Sequence, residues 1–242
     1  MTDQFARTRL LLGDDPIDIL KHSHVAVFGV GGVGGYVCEA LTRSGVGAFD
    51  LVDSDTVSLT NLNRQIIATF DTIGRSKTEV MKERMLAINP GVNVKTWDCF
   101  FLPENADAFP YETYDYVIDA VDTVTAKIEL VLRAQQHGVP VISAMGAGNR
   151  LDPGGFRAAD LFETKGCPLA KVMRRELRKR GVGALKVVYS EEEPVKPKES
   201  PCASLSEEGI RKRSVPGSNA WAPAAAGLTI AAEVVRDLTG AW

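Results

Sequence analysis

The sequence predicts an α/β fold, a mostly parallel sheet with helices on both faces. Three observations predict it. Residues 24–28, HVAVF, form a short apolar run that reads as a buried strand, and Gly29-Val30-Gly31-Gly32-Val33-Gly34 follows at once in a G-x-G-x-x-G pattern. A second apolar run at 49–52 ends in Asp53, so the unit is strand, glycine turn, helix, strand, acid. Beyond it, strand and helix patterns alternate to about residue 150, which leaves parallel strands covered on both sides.

The elements follow in order. Residues 5–13 form a short apolar-basic arm. After the glycine turn, Val33, Val37, Ala40 and Leu41 recur at helical spacing, and Gly45 stops the helix. The connection after Asp53 is too long for an ordinary strand–helix loop, and such loops tend to be functional. Ser76-x-x-Glu79 reads as a capping box for a helix with Met81, Met85 and Ile88 on one face, ended by Pro90-Gly91. Strands are expected at 92–97, 114–120 and 139–144, with a helix at 123–137 stopped by Gly138. Past residue 150 the pattern changes. A turn at 152–155 precedes strands at 156–160 and 185–189 around a basic helix, 169–180. Residues 190–201 are charged and proline-rich and read as a mobile surface loop, and an alanine-rich helix closes the chain at 223–238. The order is Rossmann-like, with a C-terminal α/β extension.

With a net charge of −3, the surface as a whole does not advertise nucleic-acid binding, so any basic patch must be local. The first eighteen residues lack an apolar core behind a basic start, and the most apolar segment, 222–235, is short and carries Glu233. No membrane insertion is expected, and a cytoplasmic location is. Cys38, Cys99, Cys167 and Cys202 form no C-x-x-C pair, so no zinc knuckle or redox dithiol is expected. Cys38 falls on a helix pattern and is expected in the core. Cys167 and Cys202 fall in less regular stretches that allow exposure, and a structural or incidental thiol is favoured over a nucleophile for both.

The chemistry begins at the glycines. They let the backbone approach an anion, and the helix start favours its charge. Asp53 would accept hydrogen bonds from ribose hydroxyls. A dinucleotide would satisfy this much, and so would a mononucleotide. Arg64 and Lys77, two cations after the second strand, favour a triphosphate. Lys77 opens a helix, where a cation opposes the dipole unless an anion binds nearby. The alternative is a lysine turned into water, and both cations are expected at surface positions. Asp122, in Asp119-Ala120-Val121-Asp122, would face the same crevice and suits Mg²⁺ beside phosphates, or simply a helix N-terminus. Asp119 is an equally exposed alternative. No Ser/His/Asp or Cys/His constellation is evident around His22, His24 or His137. One reaction class needs no side-chain base: a carboxylate attacking the α-phosphate of ATP, with cations lowering the repulsion between two anions.

Arg7, Gly29–Gly34, Asp53, Asp55, Asn61, Arg64, Gln65, Lys77 and Asp122 together resemble the superfamily of ubiquitin-activating enzymes and bacterial molybdopterin and thiamine adenylyltransferases. The resemblance spans nearly all of 5–150. It implies that Gly29, Gly31, Gly32 and Gly34 cradle ATP with Asp53, Asp55 and Gln65, and that Asp53 holds the ribose. It implies that Asn61, Arg64 and Lys77 engage the triphosphate, that Asp122 binds Mg²⁺, and that Arg7 reaches the partner's ATP in a homodimer. Residues 167–182, 186–194 and 216–238 are similar to the tRNA threonylcarbamoyladenosine dehydratase branch, which lacks the paired zinc cysteines of its relatives. Cys167 stands where an acid is expected in many members.

The resemblance implies one domain over 1–242, with residues 1–150 as nucleotide-binding core and 151–242 as a substrate-side extension. It implies ATP-dependent, dehydrating cyclisation of the modified adenosine in tRNA, and it links some members to sulfur-transfer protein partners. Lys171, Arg174, Arg175, Arg178, Lys179 and Arg180 crowd one helix whose apolar stripe, Leu169, Val172, Met173 and Leu177, would turn them outward. Lys171, Arg174, Arg175 and Arg178 are the candidate tRNA contacts, with Arg211, Lys212 and Arg213 extending the patch. A solvated helix face is the plainer account. Three other functions compete: an activator of a ubiquitin-like or sulfur-carrier protein, a nicotinamide oxidoreductase, and a nucleotide-sensing module. Arg64 and Lys77 disfavour the second of these.

Overall fold

Seven strands form one sheet in the order β3-β2-β1-β4-β5-β7-β6 in the computed structural model, which describes residues 3–198 and 216–242. The strands are β1 His24–Phe28, β2 Ala48–Val52, β3 Asn93–Trp97, β4 Tyr116–Asp119, β5 Val141–Ala144, β6 Phe156–Asp160 and β7 Lys186–Ser190. Every pairing is parallel except β6 with β7. The helices are α1 Ala6–Leu12, α2 Asp14–His22, α3 Gly34–Ser44, α4 Lys77–Ile88, α5 Val124–Gln136, α6 Pro168–Arg178 and α7 Ala222–Thr239. The expected fold class is present.

Strand alternation sorts the core into two faces. Val25 and Val27 of β1 face a core shared with α2, α3, α4 and α7. Ala26 and Phe28 face the other way, onto α5 and the aromatic residues Phe101, Phe109, Tyr111 and Tyr114. Further along that second face, α5 and α6 close over β5 and β7 around Val131, Met173 and Leu177. The stretches before and after residue 150 share the sheet, because β7 pairs with β5. The last helix also returns to the first half. A side chain at Gly227 of α7 would stand 2.5 Å from the Val33 carbonyl at the start of α3.

Several expectations need correction. The arm at 5–13 is the single helix α1, and a second helix that went unread, α2, follows it, with Ile17 and Leu20 spaced to bury on one side and Asp14 and Asp15 in its first turn. The capping box at α4 is half formed. Ser76 accepts from the Glu79 N–H, but the Glu79 carboxylate instead accepts from Thr96 Oγ1 at 2.6 Å. Cys167 is buried among α5 and α6 side chains, because the irregular stretch around it is pinned beneath the sheet. Cys202 and the cations 211–213 lie outside the described residues. In the segment read as a mobile loop, Glu192 accepts from the Leu151 and Asp152 N–H groups, and the Val195 N–H donates to the Asn149 carbonyl. The stretch is therefore anchored at Glu192 and Val195, and residues 199–201 lie outside the described residues.

Helix α3, which carries the glycine turn, is clamped to α4. The Glu39 carboxylate accepts from Arg84 Nε at 2.7 Å and Nη2 at 3.0 Å, and from Arg43 Nε at 2.8 Å. Burial alone would raise the Glu39 carboxyl, but the two guanidiniums outweigh it and hold it below its ordinary value of 4.5. A depressed folded value means stability that is present above the ordinary value and lost as pH falls through the folded one. Glu39→Gln is expected to cost about 1–3 kcal/mol at pH 7, from hydrogen bonds to charged groups. The gap between parent and variant should close towards pH 3. Urea unfolding at both pH values checks this, and a gap independent of pH would exclude the clamp.

Candidate active site at the carboxyl ends of the strands

The strand order reverses between β1 and β4, and ligands of open parallel sheets bind beyond the carboxyl ends at such a point. There the turn after β1 lies directly on the end of β4. Gly29 has φ +91°, and a Cβ on it would stand 2.6 Å from the Ala120 carbonyl oxygen. A Cβ on Gly34 would collide with the Gly29 carbonyl oxygen. Both must be glycine for α3 to start here. No side chain caps α3; the Gly35 and Tyr36 N–H groups donate to the Gly31 and Val33 carbonyls, so what the helix offers a ligand is the positive end of its dipole and the glycine turn ahead of it. Gly31 and Gly32 face predicted site residues. Gln65 Nε2 lies 3.9 Å from the Cβ position of Gly31, and Arg64 Cγ lies 3.5 Å from that of Gly32.

The 61–65 turn is folded on itself. The Arg64 and Gln65 N–H groups donate to the Asn61 carbonyl, and buried Asn61 Oδ1 accepts from the Ser58 N–H. Arg64 Nη1 donates to the Thr60 carbonyl at 2.8 Å. Gln65 is buried, and its Oε1 has no partner among the described residues, which suits an incoming donor.

Asp53 is held ready by backbone. Its Oδ2 accepts from the Val30 N–H at 2.7 Å and its Oδ1 from the Asp55 N–H at 2.9 Å. A carboxylate has about four acceptor positions, so two remain for hydroxyls. Burial pushes its carboxyl above the ordinary value, against the pull of Lys77. Lys77 opens α4 as expected, but it does not turn into water. It is 5% exposed, and its Nζ contacts Asp55 Oδ2 at 2.6 Å. The expectation of a surface lysine fails because Asp55, itself half exposed, draws the ammonium inward.

Asp122 is exposed on the loop leaving β4. Asp119 is not the exposed alternative that was expected. It is fully buried and accepts from Lys127 Nζ at 3.1 Å on both oxygens and from the Ser143 hydroxyl. Lys127 Nζ also donates to the Ala144 carbonyl at 2.7 Å, tying the end of β4 to that of β5. No group of three or more His, Cys, Asp or Glu that could cage a metal occurs among the described residues. One exposed carboxylate beside phosphates is nonetheless how Mg²⁺ is usually held.

Arg7 is exposed on α1, away from this crevice. Phe5, just before α1, lies against Gly45 at the far end of α3. The 11 residues of α3 put about 16 Å between that end and the glycine turn. On α6 the cations do not all face outward. Arg174 Nη1 is turned onto the Thr164 carbonyl at 2.9 Å. Arg175, Lys179 and Arg180 gather on Glu176, whose carboxyl they pull down to about 2, Arg175 most strongly. Arg178 lies over the Phe162 ring, and Lys171 is exposed. Counting cations missed the anion among them.

Comparison with known proteins places this geometry. The ThiF family model matches residues 5–241. This chain belongs to the ThiF family. A relative named tRNA threonylcarbamoyladenosine dehydratase from Bacillus subtilis is 43% identical over 98% of this chain and 95% of its own. The crystal structure of E. coli tRNA N6-threonylcarbamoyladenosine dehydratase in complex with AMP superposes with a TM-score of 0.87 at 33% identity, over 98% of this chain and 94% of that one. The same E. coli protein in complex with ATP gives 0.86 at 32% identity, with the same coverage.

Sequence reasoning missed three features of this ThiF-family site. One is the Lys127–Asp119–Ser143 cluster, for which the eight-residue spacing of Asp119 and Lys127 was the only signal. Another is a strap, 216–223, across the crevice. Asn63 Nδ2 donates to the Ser218 carbonyl at 3.1 Å, Pro223 sits on Gly32, and Asn219 Nδ2 donates to the Arg150 carbonyl at 2.6 Å. Arg150 itself is the third, and nothing in the sequence marked it.

The Lys77–Asp55 pair is asymmetric, since one partner is buried and the other half solvated. Removing Asp55 strands a buried cation, whereas removing Lys77 leaves an anion in water. Asp55→Asn is expected to cost about 1–3 kcal/mol, below the cost of a fully buried break because Asp55 is half exposed. Lys77→Met should cost less than about 1 kcal/mol. Equal losses in urea melts would mark an ordinary surface bridge.

Proposed function

We propose that this protein is an ATP-dependent tRNA threonylcarbamoyladenosine dehydratase. The observation that carries the reading is the extent of the likeness to the B. subtilis dehydratase, which runs through α6, β6, β7 and α7 as well as the nucleotide half. Those later elements set the dehydratases apart from relatives that activate proteins and carry paired zinc cysteines. The site supports the same chemistry. The glycine turn and the start of α3 receive phosphate, Asp53 takes the ribose hydroxyls, and Gln65 offers an unused acceptor. Lys77 and Arg64 neutralise the triphosphate, with Asn61 holding the turn that carries Arg64. When Lys77 engages phosphate, Asp55 remains half in water, so the exchange strands no buried charge.

In the first step a carboxylate oxygen of the threonyl group attacks the α-phosphorus. The bond to the bridging oxygen breaks, and pyrophosphate leaves with its electron pair. Ring closure within the activated group then expels AMP, for a net loss of water from the nucleoside. The attacking carboxylate is already ionised, so no general base is needed. What the residues supply is position and charge neutralisation. Mg²⁺, held by Asp122 and the phosphates, would add Lewis-acid stabilisation of the phosphoryl oxygens.

Two further parts belong to this reading. Arg7 serves the site of a second copy, because α3 separates it from its own, and the working unit is a homodimer. The outer face of α6 receives the tRNA backbone through Lys171, Arg175 and Arg178, while Arg174 holds the helix to Thr164. The tRNA substrate gives the enzyme a cytoplasmic location on this reading, and no helix among the described residues is long and apolar enough to cross a membrane.

One assay tests these parts together: loss of one water from threonylcarbamoyladenosine in tRNA, followed by mass spectrometry. The parent should convert the tRNA with ATP and Mg²⁺, and fail with NAD or without Mg²⁺. Arg7→Ala and Lys77→Ala should each be inactive, and mixing them should restore roughly a quarter of parent activity, as two-fold symmetry dictates. The Lys171, Arg175, Arg178 triple alanine variant should raise KM for tRNA and flatten its salt dependence by roughly one unit for each phosphate no longer neutralised. Unmodified product with the parent would defeat the assignment. No recovery on mixing would place Arg7 in cis, and an unchanged salt slope would remove α6 from the tRNA surface.

A further inference from the structure

Arg150 is 2% exposed, and its Nε and Nη1 have no hydrogen-bond partner among the described residues. No ion pair among those residues takes up its charge either. Buried charges in folded proteins are paired, because an unpaired one loses its water and gains nothing in return. A cation left this way calls for an anion that arrives from outside.

Its place says which anion. Arg150 stands on the loop beyond β5, and that loop abuts the start of α6, with Cys167 Sγ and Leu169 Cβ each 4.0 Å from the Cβ position of Gly146. The strap fastens the loop to the crevice. Asn219 Nδ2 donates to the Arg150 carbonyl, Trp221 Nε1 donates to the Leu151 carbonyl at 2.8 Å, and Pro223 rests on Gly32. Lys77 and Arg64 follow β2, on the other side of β1 and β4. Strand spacing puts roughly 14 Å between the ends of β2 and β5. In-line displacement at the α-phosphorus needs the attacking and leaving groups on opposite sides. The leaving pyrophosphate has its cations on the β2 side, and the attacking group needs one on the β5 side.

We propose that Arg150 receives the substrate carboxylate and holds it for attack on the α-phosphorus, an inference that rests on the dehydratase reading above. A guanidinium suits this role because it stays charged and binds carboxylates through paired N–H groups.

The test uses an anticodon stem-loop oligonucleotide carrying threonylcarbamoyladenosine, either as the free carboxylate or as its methyl ester. The parent should bind the carboxylate about 10–100-fold more tightly than the ester, the range for charge-assisted hydrogen bonds. Arg150→Met should erase that preference and leave ATP affinity within about twofold. It should also melt a few degrees above the parent without ligand, since an unpaired buried charge has been removed. Arg150→Lys should recover part of the preference. A preference retained by Arg150→Met overturns the proposal. So does a fall in ATP affinity in its place, which would assign Arg150 to the triphosphate, or a lowered melting temperature, which would make it structural. If the parent binds neither oligonucleotide, the dehydratase reading itself fails, an outcome distinct from a parent preference that Arg150→Met leaves intact.

Discussion

The close approach of Gly29 to the Ala120 carbonyl is the constraint on which the rest depends. It seats the turn after β1 on the end of β4, and so fixes where α3 begins and where its N–H groups point. The same turn donates the Val30 N–H to Asp53, which locks the acid of β2 beside the glycines. Gly227 lets α7 press on the start of α3 from outside, and the Glu39 clamp sets α4 against α3, so Lys77 is placed by the same helix that carries the glycine turn. A single larger residue at position 29 would move every one of these groups.

Three buried cations ring the carboxyl ends of the strands, and their pairing differs in an informative way. Lys127 has Asp119 as a buried counterion and serves structure by tying β4 to β5. Lys77 has Asp55, a half-solvated partner that can release it without being stranded. Arg150 has none among the described residues. The order runs from a permanent bond, through an exchangeable one, to a cation whose partner must be brought in. Burial makes each charge matter, because interactions in low dielectric are strong and unpaired groups there are costly.

Much of this was legible in the sequence, for identifiable reasons. The strands of the first half are short apolar runs set between turns, and the glycine motif with Asp53 fixed the position of the crevice. Lys77 was marked by being the wrong charge for a helix start. The sequence misled where orientation or local neutralisation decides. Asp119 and Asp122 are three residues apart in one acidic stretch, and only Lys127, a helix turn or two further on, shows which is drawn inward. Between residues 171 and 180 six cations stood out, while Glu176 in their midst neutralises three, two of them just past the end of α6. Arg150 carried no signal, because a lone arginine in a glycine-rich loop normally reaches water.

The central claim is that the crevice activates a carboxylate on tRNA through an acyl-adenylate. Exchange of labelled pyrophosphate into ATP measures that step alone, before ring closure. The account predicts exchange that requires tRNA carrying threonylcarbamoyladenosine and disappears with the same tRNA lacking the modification. Exchange that proceeds equally with unmodified tRNA, or none with the modified one, would contradict it.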